Sequence, residues 1–173
     1  MARPIYENTK TQKDEQGAIQ QFLQYHIEKH GWPSTLGARK LPMSYRLDYA
    51  LVANTQQVAQ NHRIVSWAEV KRRKCNHNSF ATLILSWGKW LAACEAVTMS
   101  ALPFHLVVQW EDRWGYLGIF PDAENNTIMP VGLHIPFPDV ASRVYWGGRT
   151  SQTRDAGDIE PVIHIPIKSF FIV

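Results

Sequence analysis

The chain has 173 residues, 45% hydrophobic and 19% charged, a balance that suits one globular domain with a substantial core. No apolar run approaches the ~20 residues of a membrane span, and the N-terminal MARPIYENTKTQKDEQ has no apolar signal core, so a cytoplasmic protein without a membrane partner is expected. The net charge of +3 is unevenly laid: from His62 to His77 five cations accompany one acid, Glu69, and such a basic stretch suits a polyanion.

Residues 14–30 read as a first helix with Ala18, Phe22, Leu23 and Ile27 as its apolar stripe. Asp14 is the expected cap, and Gly31 with Pro33 beyond it is the expected stop. Residues 45–53 (YRLDYALVA) and 63–70 (RIVSWAEV) read as strands separated by the polar loop NTQQVAQNH. Both carry apolar residues on both faces, as in a sheet covered on both sides. Residues 79–101 read as one long helix. Phe80, Leu83, Ile84, Trp87, Leu91, Cys94 and Thr98 share a face, Asn78 or Ser79 supplies the cap, and Pro103 enforces the stop.

Residues 104–110 (FHLVVQW) follow as a buried strand, and Glu111-Asp112-Arg113 turns the chain into another at 114–120. Beyond these, 133–137 (LHIPF) and 163–167 (IHIPI) share a His-Ile-Pro core whose prolines suggest edge strands or strand ends. The stretches 145–154 and 155–160 are turn-rich and expected to be exposed. The order of elements predicts a single α/β sandwich.

Chemistry concentrates at the two strands around the polar loop. Paired as an antiparallel hairpin with Ala53 opposite Ile64, they bring Asp48 opposite Glu69, and alternation puts Lys71 on the face of Glu69. A slip of one residue would send Asp48 to the other face. Two adjacent carboxylates require a positive partner. Lys71 could serve as a plain ion pair, but a hard divalent cation such as Mg²⁺ suits carboxylate oxygens better. Arg72, Arg73 and Lys74 follow directly, able to hold a phosphate backbone. Carboxylates, a cation, a lysine and a basic ledge together suit metal-assisted phosphodiester hydrolysis.

Asp48, then Glu69-Val70-Lys71 after 20 intervening residues, then a long helix and FHLVVQW, resembles the PD-(D/E)XK nuclease superfamily over residues 14–120. Glu69-Val70-Lys71 is the only acid-x-Lys in the chain. Within the superfamily the pattern is most similar to small phage-type endonucleases and Holliday-junction resolvases. The resemblance implies a restriction-endonuclease-like αβββαβ core, with a central mixed sheet flanked by helices and residues 121–173 as a β- and loop-rich C-terminal extension. It implies an Mg²⁺-dependent endonuclease (Mn²⁺ substituting) acting on duplex or branched DNA, with room for a homodimer. Asp48 and Glu69 would bind the cation, aided by the carbonyl of Val70, and Glu15, expected in the first turn of the first helix, would add a further acid. Lys71 would act on the attacking water. A charged lysine that positions water and stabilises the transition-state phosphate is the preferred role, with general-base action second.

Two departures stand out. Leu47, not proline, precedes Asp48, and the long helix lacks the Gln-x-x-x-Tyr element of some subfamilies. Lys89 on that helix is either its substitute or a solvated lysine. Elsewhere, His62, His77, His105, His134 and His164 are scattered without a helix-spaced pair, and Cys75-x-His77 offers two ligands at most. Cys75 and Cys94 are expected as buried thiols and not as a disulfide. Trp67 and Trp87 are read as core, and Trp146, beside two glycines, as core or a stacking surface for a base. Arg149, Arg154, Asp155, Asp158 and Glu160 form a mixed-charge loop that could border a cleft. Two other function classes compete with the nuclease: a non-catalytic nucleic-acid-binding module, and an interaction protein using the C-terminal extension as an oligomer interface.

Overall fold

A computed structural model describes residues 9–54, 62–121, 128–130, 144–148 and 159–173. The first helix, α1 (Thr9–His30), ends at Gly31, whose φ of 66° lies in the left-handed region that glycine adopts without steric penalty. It begins earlier than expected, so Asp14 lies inside the helix and is not its cap. Glu15 likewise falls in the second turn instead of the first. Ala18, Ile19, Phe22 and Leu23 form its buried stripe.

The chain continues through β1 (Leu36–Lys40), β2 (Tyr49–Asn54), β3 (His62–Arg72) and β4 (Thr82–Ser86) to the second helix, α2 (Trp87–Ser100). Then come β5 (Phe104–Gln109), β6 (Trp114–Pro121), β7 (Ile128–Pro130), β8 (Val144–Gly148), β9 (Ile159–Pro166) and β10 (Phe171–Ile172). The central sheet runs β1-β2-β3-β5-β6-β10, with β7 also on β6. It is mixed: β3 and β5 are parallel and the other pairs antiparallel. A parallel pair needs a crossover, and the segment containing β4 and α2 provides it.

Both faces of this sheet are covered, as its doubly apolar strands require. On one, α1 packs on Tyr49, Leu51, Ala68, Val70 and Val107. On the other, α2 and part of a small second sheet pack on Phe104, Leu106, Val108, Leu117 and Ile119. Among the described residues no helix is long and apolar enough to cross a membrane.

Three expectations need correction. Residues 79–86 are not helical. Leu83 and Leu85 are 2% and 1% exposed while Ile84 between them is 46% exposed, the period of a strand, and β4 pairs antiparallel with β9. The apolar run Leu83-Ile84-Leu85 fits either period, and pairing with a strand some 80 residues later decides it. Helix α2 therefore starts at Trp87 and buries Trp90, Ala93, Cys94 and Val97, with Thr98 exposed. It ends at Ala101 in the left-handed conformation, just before Pro103. Residues 45–48 are not strand: a 3-10 turn (Met43–Tyr45) and Arg46 at φ 58° lead into β2. Finally, residues 145–148, read as turn, belong to strand β8, and β1 is an additional strand.

The C-terminal stretch is woven into both sheets. The small sheet runs β4-β9-β8, and β10 returns to the edge of β6. Pro166 ends β9, as its residue type suggests. Residues 133–137, His134, Arg149, Arg154, Asp155 and Asp158 lie outside the described residues.

Candidate active site

The site depends on the register of β2 against β3. Near the strand tips Ala53 pairs with Arg63 and Val52 with Ile64, one residue away from the expected alignment. A bulge between Leu51 and Val52 then takes up one extra residue of β3, and Leu51, Ala50 and Tyr49 pair with Ser66, Trp67 and Ala68. The bulge thus restores the alignment that carries Asp48, one residue before Tyr49, to Glu69. Asp48 Oδ2 accepts a hydrogen bond of 3.1 Å from the Val70 amide. Alternation sends Ala68 and Val70 toward α1 and leaves Glu69 and Lys71 on the opposite face.

Glu69 is fully buried there, at 0% exposure. Its Oε1 stands 2.6 Å from the Lys71 ammonium and its Oε2 accepts from Lys89 at 2.9 Å. Lys89 also donates to Asp48 Oδ1 at 3.2 Å. Lys40, on β1, lies 3.7 Å from the same oxygen and bonds Glu15 at 2.8 Å. Lysines from β1, β3 and α2 therefore surround two carboxylates, with Glu15 one residue further out.

The two acids respond differently. Burial raises both. For Asp48 the lysines Lys89, Lys71 and Lys40 together outweigh burial and hold its carboxyl below the usual range. For Glu69 burial prevails, abetted by the charge of Asp48, and its carboxyl is pushed above the usual range despite Lys71 and Lys89. Burial lowers Lys89 as well, but Glu69 and Asp48 reverse this and its ammonium titrates above the ordinary lysine value.

The donor set fits a hard divalent cation. Glu69 Oε1 is buried, with the Lys71 ammonium 2.6 Å away and no further polar partner among the described residues. Among the described residues no three His, Cys, Asp or Glu side chains gather round one point. Two carboxylates suit an ion that keeps waters or takes phosphate oxygens, as Mg²⁺ does, and not a closed zinc site.

The basic run diverges. Arg72 is exposed and paired with Asp14, and Lys74 is exposed. Arg73 turns inward and donates to the Ile84 carbonyl at 2.6 Å. With Lys71 it lines a groove of about 670 Å³ that extends along β4 and β9 past Ser86, Glu160 and His164. His77 is bound by Asp112, its Nδ1 2.6 Å from Oδ2. Trp146 is 77% exposed on β8.

Sequence reasoning missed Lys40, whose strand gave no alternation to read, and left Lys89 undecided; the structure removes the solvated alternative. It also passed over the helix-spaced pair His26 and His30. Their rings lie 5.0 Å apart in an aromatic cluster with Phe22 and Trp32, and His26 Nδ1 is 3.0 Å from the Phe22 carbonyl. His105 is buried in the same cluster, where loss of solvent pushes its imidazole down to about 3 and keeps it neutral.

A family model described as "Phage putative PDDEXK endonuclease" matches residues 1–173, the whole chain. The chain belongs to that family. Among solved structures, the Holliday junction resolvase Hjc of the archaeal hyperthermophile Archaeoglobus fulgidus is similar at 14% identity. That match covers 58% of this chain and 70% of Hjc, with a TM-score of 0.34. No curated protein matches the PDDEXK chain.

Proposed function

We propose that the protein is a divalent-cation-dependent endonuclease that hydrolyses phosphodiester bonds in DNA. The observation that carries this reading is the convergence of Asp48, Glu69 and Lys71, with Glu69 fully buried, in a chain of this family. A charged cluster held out of water contributes little net stability against a packed apolar alternative, which favours a chemical role for it.

In this reading Asp48, Glu69 and the Val70 carbonyl hold Mg²⁺, with Mn²⁺ able to replace it. The bound cation supplies charge neutralisation at the phosphate and a more acidic water. Lys71, partly exposed at the end of the groove, orients the attacking water and stabilises the charge that builds on the phosphate. Arg72 and Lys74, both exposed, contact phosphates while Arg73 stays on the Ile84 carbonyl, and the two contacts supply affinity and register with little sequence information. Glu15 is the outermost acid, reaching the site through Lys40.

The test is a panel of labelled linear, nicked, branched and single-stranded DNA, with RNA counterparts, incubated with Mg²⁺ or Mn²⁺ and with excess chelator. DNA cleavage that requires the cation is expected. Full cleavage in chelator would overturn the mechanism.

A further inference from the structure

Lys89 stands where its own helix disfavours it. It is the third residue of α2, whose first turn contains no acid. The partial positive charge of a helix N-terminus opposes an ammonium at that position. Capping does not relieve the conflict: Ser86 makes no side-chain cap bond, and its hydroxyl donates to Glu160 Oε2 at 2.8 Å. What holds Lys89 is the pair of carboxylates. Lys71 meets Glu69, and Lys40 lies 3.7 Å from Asp48, but Lys89 joins the two through bonds of 2.9 and 3.2 Å, with its side chain 27% exposed.

We infer that Lys89 is a built-in placeholder for the divalent cation: its ammonium bridges Asp48 Oδ1 and Glu69 Oε2, and a cation must compete with it for those oxygens. The inference rests on the reading that these carboxylates take a cation. It makes Lys89 a positioning residue with two effects. Before a cation arrives, it offsets the repulsion between two carboxylates and keeps them convergent. When one binds, breaking the two charge-assisted bonds weakens the apparent affinity. The cation site is preformed, and its affinity is held down by the same side chain.

The test is calorimetric titration of the full chain with Mg²⁺ and with Mn²⁺, without nucleic acid. Lys89→Met should bind either ion about tenfold more tightly than wild type, because no internal competitor is displaced. Its thermal midpoint should also rise more on adding the cation. Lys71→Met controls for loss of charge alone, since Lys71 stands 2.6 Å from Glu69 but does not bridge to Asp48, and it should gain less. Equal or weaker binding by Lys89→Met, or a gain matched by Lys71→Met, overturns the inference. If Lys89→Met does not fold, Lys89→Gln, which keeps amide donors without charge, carries the same comparison. A different failure, in which wild type and all lysine variants bind neither ion, would overturn the cation reading itself and the placeholder with it.

Discussion

Two groups of basic residues sit close together in this molecule and are held in different ways. Arg72, Arg73 and Lys74 are consecutive, and their charges are directed to Asp14, to the Ile84 carbonyl and to solvent. Lys40, Lys71 and Lys89 are separated by tens of residues, yet they close around Asp48 and Glu69. The contiguous run spreads its charges apart, whereas the dispersed set gathers them round two carboxylates. Exposed ion pairs contribute ~0–1 kcal/mol and are screened by salt, but charges around a buried carboxylate change what it can bind. The proposed division is therefore affinity in the run and chemistry in the dispersed set.

The largest effect should come from the dispersed set. Lys71→Ala should lower turnover by about 10²–10³, the scale of losing one aligned electrostatic stabiliser, while cation binding stays largely intact. Near wild-type cleavage by this variant would remove Lys71 from the chemistry. Asp48→Ala or Glu69→Ala should instead weaken cation binding itself, which calorimetry separates from turnover.

The two acids sharpen the contrast within the site through stability in the absence of cation. Asp48 titrates below its ordinary range when folded, so its contribution is complete above the unfolded pKa and is lost as pH falls through the folded value. Asp48→Asn should cost about 1–3 kcal/mol near neutral pH, as expected for a charged hydrogen-bonding group. Glu69 titrates above its ordinary range, so the native state holds its proton longer, and stability declines as pH rises from the ordinary glutamate value through the raised one. Glu69→Gln should remove that decline and be neutral or stabilising above it. Denaturant titrations across this range check both signs, and destabilisation by Glu69→Gln equal to that of Asp48→Asn would contradict the assignment.

For the run, replacing Arg72, Arg73 and Lys74 together should flatten the plot of log affinity against log salt. Each phosphate contact contributes ~0.9 to that slope on duplex DNA. Because Arg73 is held by the Ile84 carbonyl, a reduction near ~2 is expected, with all sequences weakened alike. An unchanged slope would mean that nucleic acid enters elsewhere. The smallest effect on stability belongs to Glu15→Gln, where loss of the Lys40 pair should cost less than ~1 kcal/mol. A cleavage loss much larger than this would make Glu15 part of the site. Small effects on both would leave it only as the partner of Lys40.

How legible was this arrangement? The meeting of Asp48 and Glu69 was, although its expected anchor, Ala53 opposite Ile64, is not the pair that forms. The bulge that reconciles the two has no glycine to announce it, since the β3 residues from Arg63 to Ser66 fit an ordinary strand. Lys89 was ambiguous because the helix was read as starting at 79. With Leu83-Ile84-Leu85 assigned to β4, Lys89 moves into the first turn of α2, where a lysine needs an explanation. Lys40 had no local signal: its strand is five residues long and is defined by pairing with β2. Local periodicity located the two helices but misplaced their starts, and long-range pairing decided the short strands.

The most direct test of the division is a single-turnover cleavage rate measured at saturating protein, where affinity no longer matters. Lys71→Ala should stay at least about 10²-fold slower than wild type, and the Arg72→Ala/Lys74→Ala double variant should recover the wild-type rate. A double variant that stays slow at saturation while Lys71→Ala cuts normally would contradict the account.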